Sequence, residues 1–504
     1  MGRSRRATLA LVLWLAAASC PGARAADELD LTILHTNDLH GHLLPFAYSE
    51  GGKAEKPSVG GAARRATLIR RLRSTIAHPV ALVDSGDLFT RGPLATTWQG
   101  LADVEALNAI GYDFAAIGNN EFKARDGVDA VDAAGSQAAL LAVVKRSRFH
   151  WLCANVADAR GAPLEGVLPF AVRVWRGVRV GFLGLTAPRS AGYPQTQGWR
   201  IGDPLAAAKE WVPRARAQCD VLIAVTHIGV DLDRRLAAET GGIDAIVGGD
   251  SHTFLYRAVE APGLDGRRVP IVQTGEFGVN LGRLDLRLAR GPAGRWELKG
   301  YAYRLLPVTA SLPEAPHVRA ALEPYLRPFR RVAGRVARVG ATPAERVRLT
   351  TQALCDAMRR SAGADLALNP PGEGMFESFR RHDVTRYDVY AAMPYHNGVA
   401  VAAMTGAEIA ALLRARPGMV VSGDPARLAS GATYRVAMVD FVATSALGIA
   451  ADRLTSTGRD VRDALIEHLG TASEGVRDHA ALTCRARANH PARDCGRRAA
   501  PAPA

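Results

Sequence analysis

The sequence predicts a protein of the α/β class, in which a large layered domain precedes a smaller α/β domain. From residue 29 to about residue 307, strand-like and helix-like segments alternate, which is typical of sheets covered by helices. The composition then changes to a basic run rich in Ala, Arg and Leu, and a second unit with its own apolar runs begins near Val347. With 504 residues, of which 48% are hydrophobic, the chain is long enough to bury two cores.

The predicted strands of the first unit are short apolar runs, most of them followed by polar or glycine-containing loops. They cover residues 31–36, 79–83, 114–117, 179–185, 221–225, 243–247, 269–273, 284–288 and 296–305. Helices are predicted from the amphipathic stretches at residues 62–74 and Leu101–Ile110. We also predict one basic helix from Pro313 to about Val339, with Pro313 and Pro316 near its start.

The second unit is shorter, and its pattern predicts helices at residues 351–361 and Gly406–Ala415. Apolar runs at residues 366–368 and 434–442 are its predicted strands, the latter being the last. The resulting boundaries are 26–310 for the first domain, 311–342 for a linker helix, 343–475 for the second domain and 476–504 for a basic tail rich in Ala, Pro and Arg.

Residues 1–25 are predicted to form a secretory signal peptide, which implies a periplasmic or secreted protein. A basic start is followed by an apolar stretch at residues 7–18 and by Ala23-Arg24-Ala25. Two other interpretations stay open, a twin-arginine signal at Ser4-Arg5-Arg6 and a lipoprotein site at Cys20. The rest of the sequence contains no segment with the length and apolarity of a membrane span.

The formal net charge is +14, but the arginines are dispersed rather than clustered. This distribution argues against a nucleic-acid polymer as partner and favours attraction of small anionic substrates. Because export permits disulfides, we predict a bond between Cys484 and Cys495. Cys153, Cys219 and Cys355 lie in or beside apolar runs and are predicted to be buried free thiols.

Six short segments contain residues that can hold a hard metal ion, and most of them follow a predicted strand. They are Asp38-Leu39-His40, Asp84-Ser85-Gly86-Asp87, Gly118-Asn119-Asn120-Glu121, Thr226-His227, Gly249-Asp250-Ser251 and His252-Thr253. Each segment alone is more often an ordinary loop, turn or core histidine. Strand ends of an α/β domain meet at one edge, so the whole set predicts a site for two divalent ions of the Mn, Fe, Zn or Mg type.

These segments resemble, in the same order, the motifs of the 5′-nucleotidase/UDP-sugar hydrolase family of calcineurin-like metallophosphoesterases. The segment from Asp388 to Asn397 and Thr405-Gly406-Ala407-Glu408 resemble the substrate domain of that family. The resemblance covers residues 29 to about 449. It implies a four-layered α/β/β/α metallophosphoesterase domain followed by a smaller 5′-nucleotidase C-terminal-type domain that binds substrate.

The resemblance also implies how the metal ligands divide between the two ions. One ion would be held by Asp38, His40, Asp87 and His252, and the other by Asp87, Asn119, His227 and Asp250. A hydroxide bridging the ions would attack phosphorus in line. The family usually has a histidine where this chain has Asp250, and the anionic oxygen favours Mn²⁺ or Mg²⁺ over Zn²⁺.

The chain departs from the family at the catalytic dyad and in the substrate domain. The usual Gly-Asn-His-Glu-Phe-Asp pattern has Asn120 and Lys123 in place of its His and Asp, and an amide cannot carry a proton. Arg346, Tyr395 and Asn397 would contact substrate, Arg346 through phosphate and Tyr395 by stacking on a base. A second stacking aromatic and an arginine of the family are missing from residues 445–449 and 369–375.

We therefore predict an exported, metal-dependent phosphoesterase that resembles 5′-nucleotidases, acts on a small phosphate ester and has Asn120 as its altered catalytic residue. One alternative is a hydrolase of a sulfur-containing ester on a carrier, because leaving groups of low pKa need no protonation. Another is a catalytically weak homologue that binds metal or ligand. The oligomeric state stays open.

Overall fold

The computed structural model describes residues 27–51, 53–123, 133–292 and 294–471. The predicted signal peptide, the basic tail, Cys20 and the Cys484–Cys495 pair lie outside these residues. Among the helices of the described part, none has the length and apolarity needed to cross a membrane.

The N-terminal unit is built on two mixed sheets whose central strands are parallel. Its strands are β1 (Glu28–Thr36), β2 (Phe46–Tyr48), β3 (Lys56–Val59), β4 (Val80–Asp84), β5 (Phe114–Ala116), β6 (His150–Leu152), β7 (Val156–Ala157), β8 (Val167–Leu168), β9 (Phe170–Trp175), β10 (Val178–Thr186), β11 (Arg200–Ile201), β12 (Val221–His227), β13 (Ala245–Val247), β14 (Val259–Pro262), β15 (Arg268–Val272), β16 (Asn280–Arg290) and β17 (Trp296–Pro307). One sheet has the order β17-β16-β1-β4-β5-β6-β8 and the other β14-β15-β13-β12-β10-β9.

Side chains from the two sheets share one apolar core, so the sheets pack face to face. Leu31, Ile33 and Phe114 of the first sheet pack with Ile223 and Val225 of the second, and all five are buried. Helices cover the outer faces: α1 (Ala62–Thr75), α2 (Pro93–Trp98), α3 (Leu101–Ile110) and α4 (Ala133–Arg146) on the first sheet, and α5 (Pro204–Arg216) and α6 (Val230–Glu239) on the second. The predicted α/β/β/α layering is confirmed.

The predicted strands of this unit are all present, with ends that shift by up to a few residues. The run at 31–36 extends to Glu28–Thr36, and the run at 79–83 lies at Val80–Asp84. Their burial on both faces explains why a continuous apolar run located them. The helix at Leu101–Ile110 matches its prediction to the residue.

The prediction of a single helix from Pro313 to about Val339 is wrong. Helix α7 covers Pro316–Leu326, a short 3₁₀ turn follows, and β18 (Val332–Arg335) pairs with a strand of the C-terminal unit. Pro328 lacks the amide hydrogen that a continuing helix needs, and strand pairing outweighs local helix propensity beyond it. Val318 and Leu322 bury α7 in the core of the N-terminal unit.

The C-terminal unit has its own core around a separate five-stranded sheet. Its elements after β18 are α8 (Pro343–Ala362), β19 (Leu366–Asn369), β20 (Asp383–Thr385), α9 (Arg386–Ala392), β21 (Gly398–Thr405), α10 (Gly406–Ala415), β22 (Val420–Ser422), β23 (Thr433–Val439), α11 (Asp440–Ser445) and β24 (Leu454–Asp460). Strands β22-β19-β23-β21-β24 form the sheet in that order. The strand predicted to be last, at 434–442, is in fact followed by β24. The sequence of β24 is polar, so no apolar run predicted this strand.

The three cysteines predicted to be buried free thiols are confirmed within the described residues. Cys153, Cys219 and Cys355 are all buried and make no disulfide. Burial raises the pKa of the Cys153 thiol to about 12, so it stays protonated and unreactive.

Candidate metal centre

The carboxyl ends of strands from both sheets carry the seven predicted metal ligands. Strand β1 leads to Asp38 and His40, β4 to Asp87, β5 to Asn119, β12 ends at His227, and β13 leads to Asp250 and His252. Parallel pairing aligns these ends, with Thr36 opposite Asp84 and Val225 opposite Val247. Side chains more than 200 positions apart in the sequence therefore come together at one edge.

Five of these residues have a left-handed backbone, although none is glycine. The φ values are 51° for Asp38, 45° for His40, 57° for Asp87, 84° for Asp250 and 52° for His252. Such a backbone is uncommon outside glycine and persists only where the surrounding structure imposes it. The loops are therefore shaped to aim these side chains inward.

The first group of donor atoms surrounds the ring of His40. Its Nε2 lies 3.1 Å from Nε2 of His252 and 3.7 Å from Oδ2 of Asp87. Nε2 of His252 is also 3.2 Å from Oδ1 of Asp38. Asp38, His40 and His252 are close enough to share one metal ion.

The second group surrounds His227, which is fully buried. Its Nδ1 lies 2.7 Å from the Ser85 carbonyl and donates to it, so Nε2 offers a lone pair. Nε2 lies 3.2 Å from Oδ1 of Asp87, 3.8 Å from Oδ1 of Asp38 and 3.5 Å from Oδ1 of Asp250. Oδ1 of Asp38 and Nε2 of His227 are buried without a hydrogen-bond partner, which is costly unless a cation binds there. The donors therefore fit a divalent ion.

The histidines of this cluster have displaced pKa values, because burial competes with nearby carboxylates. Burial opposes protonation of His227, but Asp87 and Asp38 hold its pKa well above the usual value. Burial acts likewise on His252, yet the neighbouring carboxylates of Asp38 and Glu276 raise its pKa to about 9. A metal ion must displace such protons, so its binding releases protons and weakens in acid.

Two carboxylates outside the predicted set hold the cluster in place. Glu121 accepts hydrogen bonds from the amides of Asp87 at 2.9 Å and Gly118 at 2.6 Å, which ties the β4 loop to the β5 loop. Glu276 lies 2.5 Å from Nδ1 of His252 and leaves Nε2 free to face the cluster. Glu121 stands inside a quoted motif, whereas no local signal marks Glu276.

Asn120 contacts the central carboxylate of the cluster. Its backbone N–H donates to Oδ1 of Asp87 at 2.8 Å, and its side-chain amide donates to Oδ2 at 2.5 Å. The nearby Lys123 ammonium lies 4.1 Å from the ring centre of Tyr193. Through these two hydrogen bonds Asn120 orients the carboxylate of Asp87.

Asn119 and Asp250 are joined by an arginine that the sequence analysis missed. Arg189 donates from Nη2 to Oδ1 of Asn119 at 2.6 Å and from Nη1 to Oδ2 of Asp250 at 2.8 Å. It follows the end of β10, at the same sheet edge as the predicted metal ligands. Its position in a loop directly after a predicted strand was the one sequence feature that could have marked it as a site residue.

Of the predicted substrate residues, Tyr395 lies in the same cavity as Asn120. It lines a cavity of about 140 Å³ together with Asn120, Lys123 and Arg91. Arg346 instead pairs with Glu55, with 2.6 Å between Nη2 and Oε2. The Asn397 carbonyl accepts the Val461 amide at 3.0 Å, so its described contact lies within the C-terminal unit.

Comparison with known proteins gives two family matches. Residues 31–254 match the family described as calcineurin-like phosphoesterase, and residues 332–427 match the 5′-nucleotidase C-terminal domain. A trifunctional nucleotide phosphoesterase of Bacillus subtilis is 28% identical over 82% of this chain and 29% of its own length. Human 5′-nucleotidase is 31% identical over 63% of this chain and 56% of its own.

The chain thus spans 56% or less of these two curated relatives. Among solved structures, a 5′-nucleotidase precursor from Thermus thermophilus superposes with a TM-score of 0.64 at 27% identity. That match covers 88% of this chain and 97% of the other, so both units have counterparts there.

Proposed function

Because the chain belongs to the calcineurin-like phosphoesterases that carry a 5′-nucleotidase C-terminal domain, we propose that it is a metal-dependent phosphoesterase acting on small phosphate esters. The observation that carries the proposal is the pair of buried, unpartnered donor atoms, Oδ1 of Asp38 and Nε2 of His227, at the centre of the ligand cluster. The residues we assign to metal binding are Asp38, His40, Asp87 and His252 for one ion and Asp87, Asn119, His227 and Asp250 for the other.

The chemistry divides between the ions and the side chains. Two bound divalent ions would polarise the phosphoryl group and activate water for in-line attack. Asp87 can offer one oxygen to each ion, and the two N–H groups of Asn120 hold it in that orientation. His227 and His252 are held through Nδ1 by Ser85 and Glu276, so their Nε2 atoms point at the cluster.

The side chain of Asn120 limits which esters react well. An amide has no proton to give to a leaving group, so nothing at this position assists the departure of a poor one. We therefore propose that esters with leaving groups of low pKa, such as aryl phosphates, react faster than alkyl phosphates.

The cavity beside Asn120 is the proposed place for the body of the substrate. Lys123 and Arg91 supply positive charge for an anionic ester, and Tyr395 supplies a half-exposed ring. Phe376 meets Tyr395 edge-on, with centroids 6.0 Å apart and planes at 73°. That pair does not form a parallel sandwich for a base, so we propose weak selection for the nucleoside. Because the relatives include 5′-nucleotidases, we propose nucleoside monophosphates as further substrates.

We further propose that the protein acts outside the cytoplasm. The support is the sequence pattern of residues 1–25, which predicts a signal peptide.

The proposal is tested by assaying the full chain, loaded with Mn²⁺, on an aryl phosphate, an alkyl phosphate, nucleoside monophosphates and an aryl sulfate. We expect aryl phosphate hydrolysis that His227→Ala lowers by about 100-fold or more, because the variant removes a ligand. His150→Ala, which changes an exposed histidine of the same unit, is the matched control and should retain wild-type rates. Hydrolysis of the sulfate ester alone would support the sulfur-ester hydrolase. Metal binding without any turnover would support the binding homologue.

A further inference from the structure

The guanidinium of Arg189 occupies both oxygen donors at the outer side of the second metal group. Nη2 donates to Oδ1 of Asn119 at 2.6 Å, and Nη1 donates to Oδ2 of Asp250 at 2.8 Å. Nη2 also donates to Oδ1 of Asp250. Two side chains assigned to one ion are therefore bridged by a single permanent cation.

The backbone delivers Arg189 to this position. It lies in the short 3₁₀ helix Pro188–Gly192 directly after β10, whose last residue Thr186 pairs with His227 on β12. The Arg189 side chain is 50% exposed while that of Asp250 is 9% exposed. The guanidinium thus holds the two ligand side chains, while the Arg189 side chain as a whole is half exposed.

The charges explain what such a contact does. Oδ1 atoms of Asp38, Asp87 and Asp250 all lie within 3.8 Å of Nε2 of His227, which makes the second group strongly anionic. Arg189 cancels the charge of Asp250, so the pair together is neutral. A carboxylate has about four lone-pair positions, so Asp250 can bind Arg189 and still donate to an ion. A nearby cation nevertheless weakens the binding of a divalent ion by Coulomb repulsion.

We propose that Arg189 is a positioning residue of the second metal site. It orients Asn119 and Asp250 and offsets the charge of Asp250, so that the second ion binds more weakly than it would beside a free carboxylate. The inference rests on the proposed function, because it assumes that the cluster holds two ions.

The test is a Mn²⁺ titration of the metal-stripped full chain by calorimetry, with electron paramagnetic resonance to detect a coupled ion pair. We expect two binding steps in the wild type. Arg189→Met should tighten the weaker step by about tenfold and leave the tighter one unchanged, because a unit charge a few ångströms from the ion is lost. Arg179→Met is the matched control. Arg179 lies in β10, the strand that precedes Arg189, and makes a similar pair with Asp220, so its loss should change neither binding step.

Two further variants separate charge from orientation. In the Asp250→Asn background, Arg189→Met should have a clearly smaller effect, because the carboxylate that holds the guanidinium beside the second site has gone. Arg189→Lys keeps the charge without the fork, so its weaker step should stay near the wild-type affinity while the coupled signal broadens. Unchanged affinities in Arg189→Met, or an equal change with and without Asp250, would overturn the inference. A wild type that binds no Mn²⁺ would overturn the proposed function itself.

Discussion

The Asn120 amide donates a hydrogen bond of 2.5 Å to Asp87, and this contact separates two roles that a residue can have at this position. One role is to hold the carboxylate that we propose is shared by the two ions, and an amide does this well. The other is to give a proton to the departing oxygen, which an amide cannot do. Asn120 can therefore orient Asp87, and we propose that it does not act as a general acid.

Asn120→His should raise kcat on alkyl phosphates by about tenfold and change aryl phosphate turnover little, because only poor leaving groups need a proton. The gain should fall short of the roughly 10²–10⁴-fold typical of general acids, since Lys123 stands where an orienting carboxylate would be. Steady-state kinetics on esters of graded leaving-group pKa would measure it.

The control for this substitution is Gln218→His, which introduces an imidazole at an exposed position of the same unit. Equal gains on alkyl and aryl esters, or a loss on both with metal still bound, would contradict the assignment.

At the scale of elements, the edge strand β24 buries little apolar surface, and an ion pair at its end supplements its backbone pairing with β21. Its last residue, Asp460, accepts hydrogen bonds from the Arg462 amide at 2.7 Å and from its Nη2 at 2.5 Å. The Arg462 side chain is only 2% exposed, and its guanidinium also lies over the ring of Tyr390. This buried pair closes the C-terminal sheet at its edge.

Asp460→Asn should lower the unfolding free energy of the C-terminal unit by about 2–4 kcal/mol at pH 7, because it leaves a buried guanidinium without its carboxylate. Burial opposes ionisation, but hydrogen bonds from His396 and Arg462 hold the pKa of Asp460 below its usual range. The stabilisation is therefore present above about pH 4 and disappears as the pH falls through the lowered pKa.

Urea unfolding followed by circular dichroism at pH 7 and pH 3 checks both statements, with the exposed Asp452→Asn as control. The gap between the wild type and Asp460→Asn should narrow at pH 3. An equal gap at the two pH values would show that charge is not the cause.

At the scale of the whole molecule, Glu55 of the N-terminal unit binds two arginines of the C-terminal unit. Its Oε2 lies 2.6 Å from Nη2 of Arg346, and its Oε1 lies 2.7 Å from Nη2 of Arg380. Hydrogen bonds from Arg380 lower the pKa of Glu55, so the carboxylate stays charged at neutral pH. Arg346, predicted to bind phosphate, is thus engaged by a contact between the two units.

Glu55→Gln should loosen this contact by about 1–2 kcal/mol, because the two guanidinium groups lose their anionic partner and one of its two acceptor oxygens at a partly exposed site. Hydrogen exchange should then rise at the start of α8, and high salt should produce the same rise in the wild type. Glu50→Gln is the control, because Glu50 pairs with Lys53 inside the N-terminal unit. Unchanged exchange in α8 would show that Glu55 does not hold the units together.

The layered α/β class, the places of the core strands and the chemical types of the candidate metal donors could all be predicted from the sequence alone. Strands buried on both faces are continuous apolar runs, and ligands at strand ends stand directly after them, so both signals are local. Helix α7 was predicted too long, because a proline ends it and the residues that follow pair with a distant strand. Strand β24 was missed, because its sequence is polar and it forms by pairing with a distant strand.

The contacts between side chains that are distant in the sequence, in contrast, could be identified from the tertiary structure alone. Arg189 meets Asn119 and Asp250 across 70 and 61 positions, and Glu55 meets Arg346 across 291. No local pattern encodes such distances, because parallel strand order and domain packing bring these residues together. The candidate metal donors can therefore be predicted from the sequence, whereas the contact of Arg189 with two of them depends on the fold.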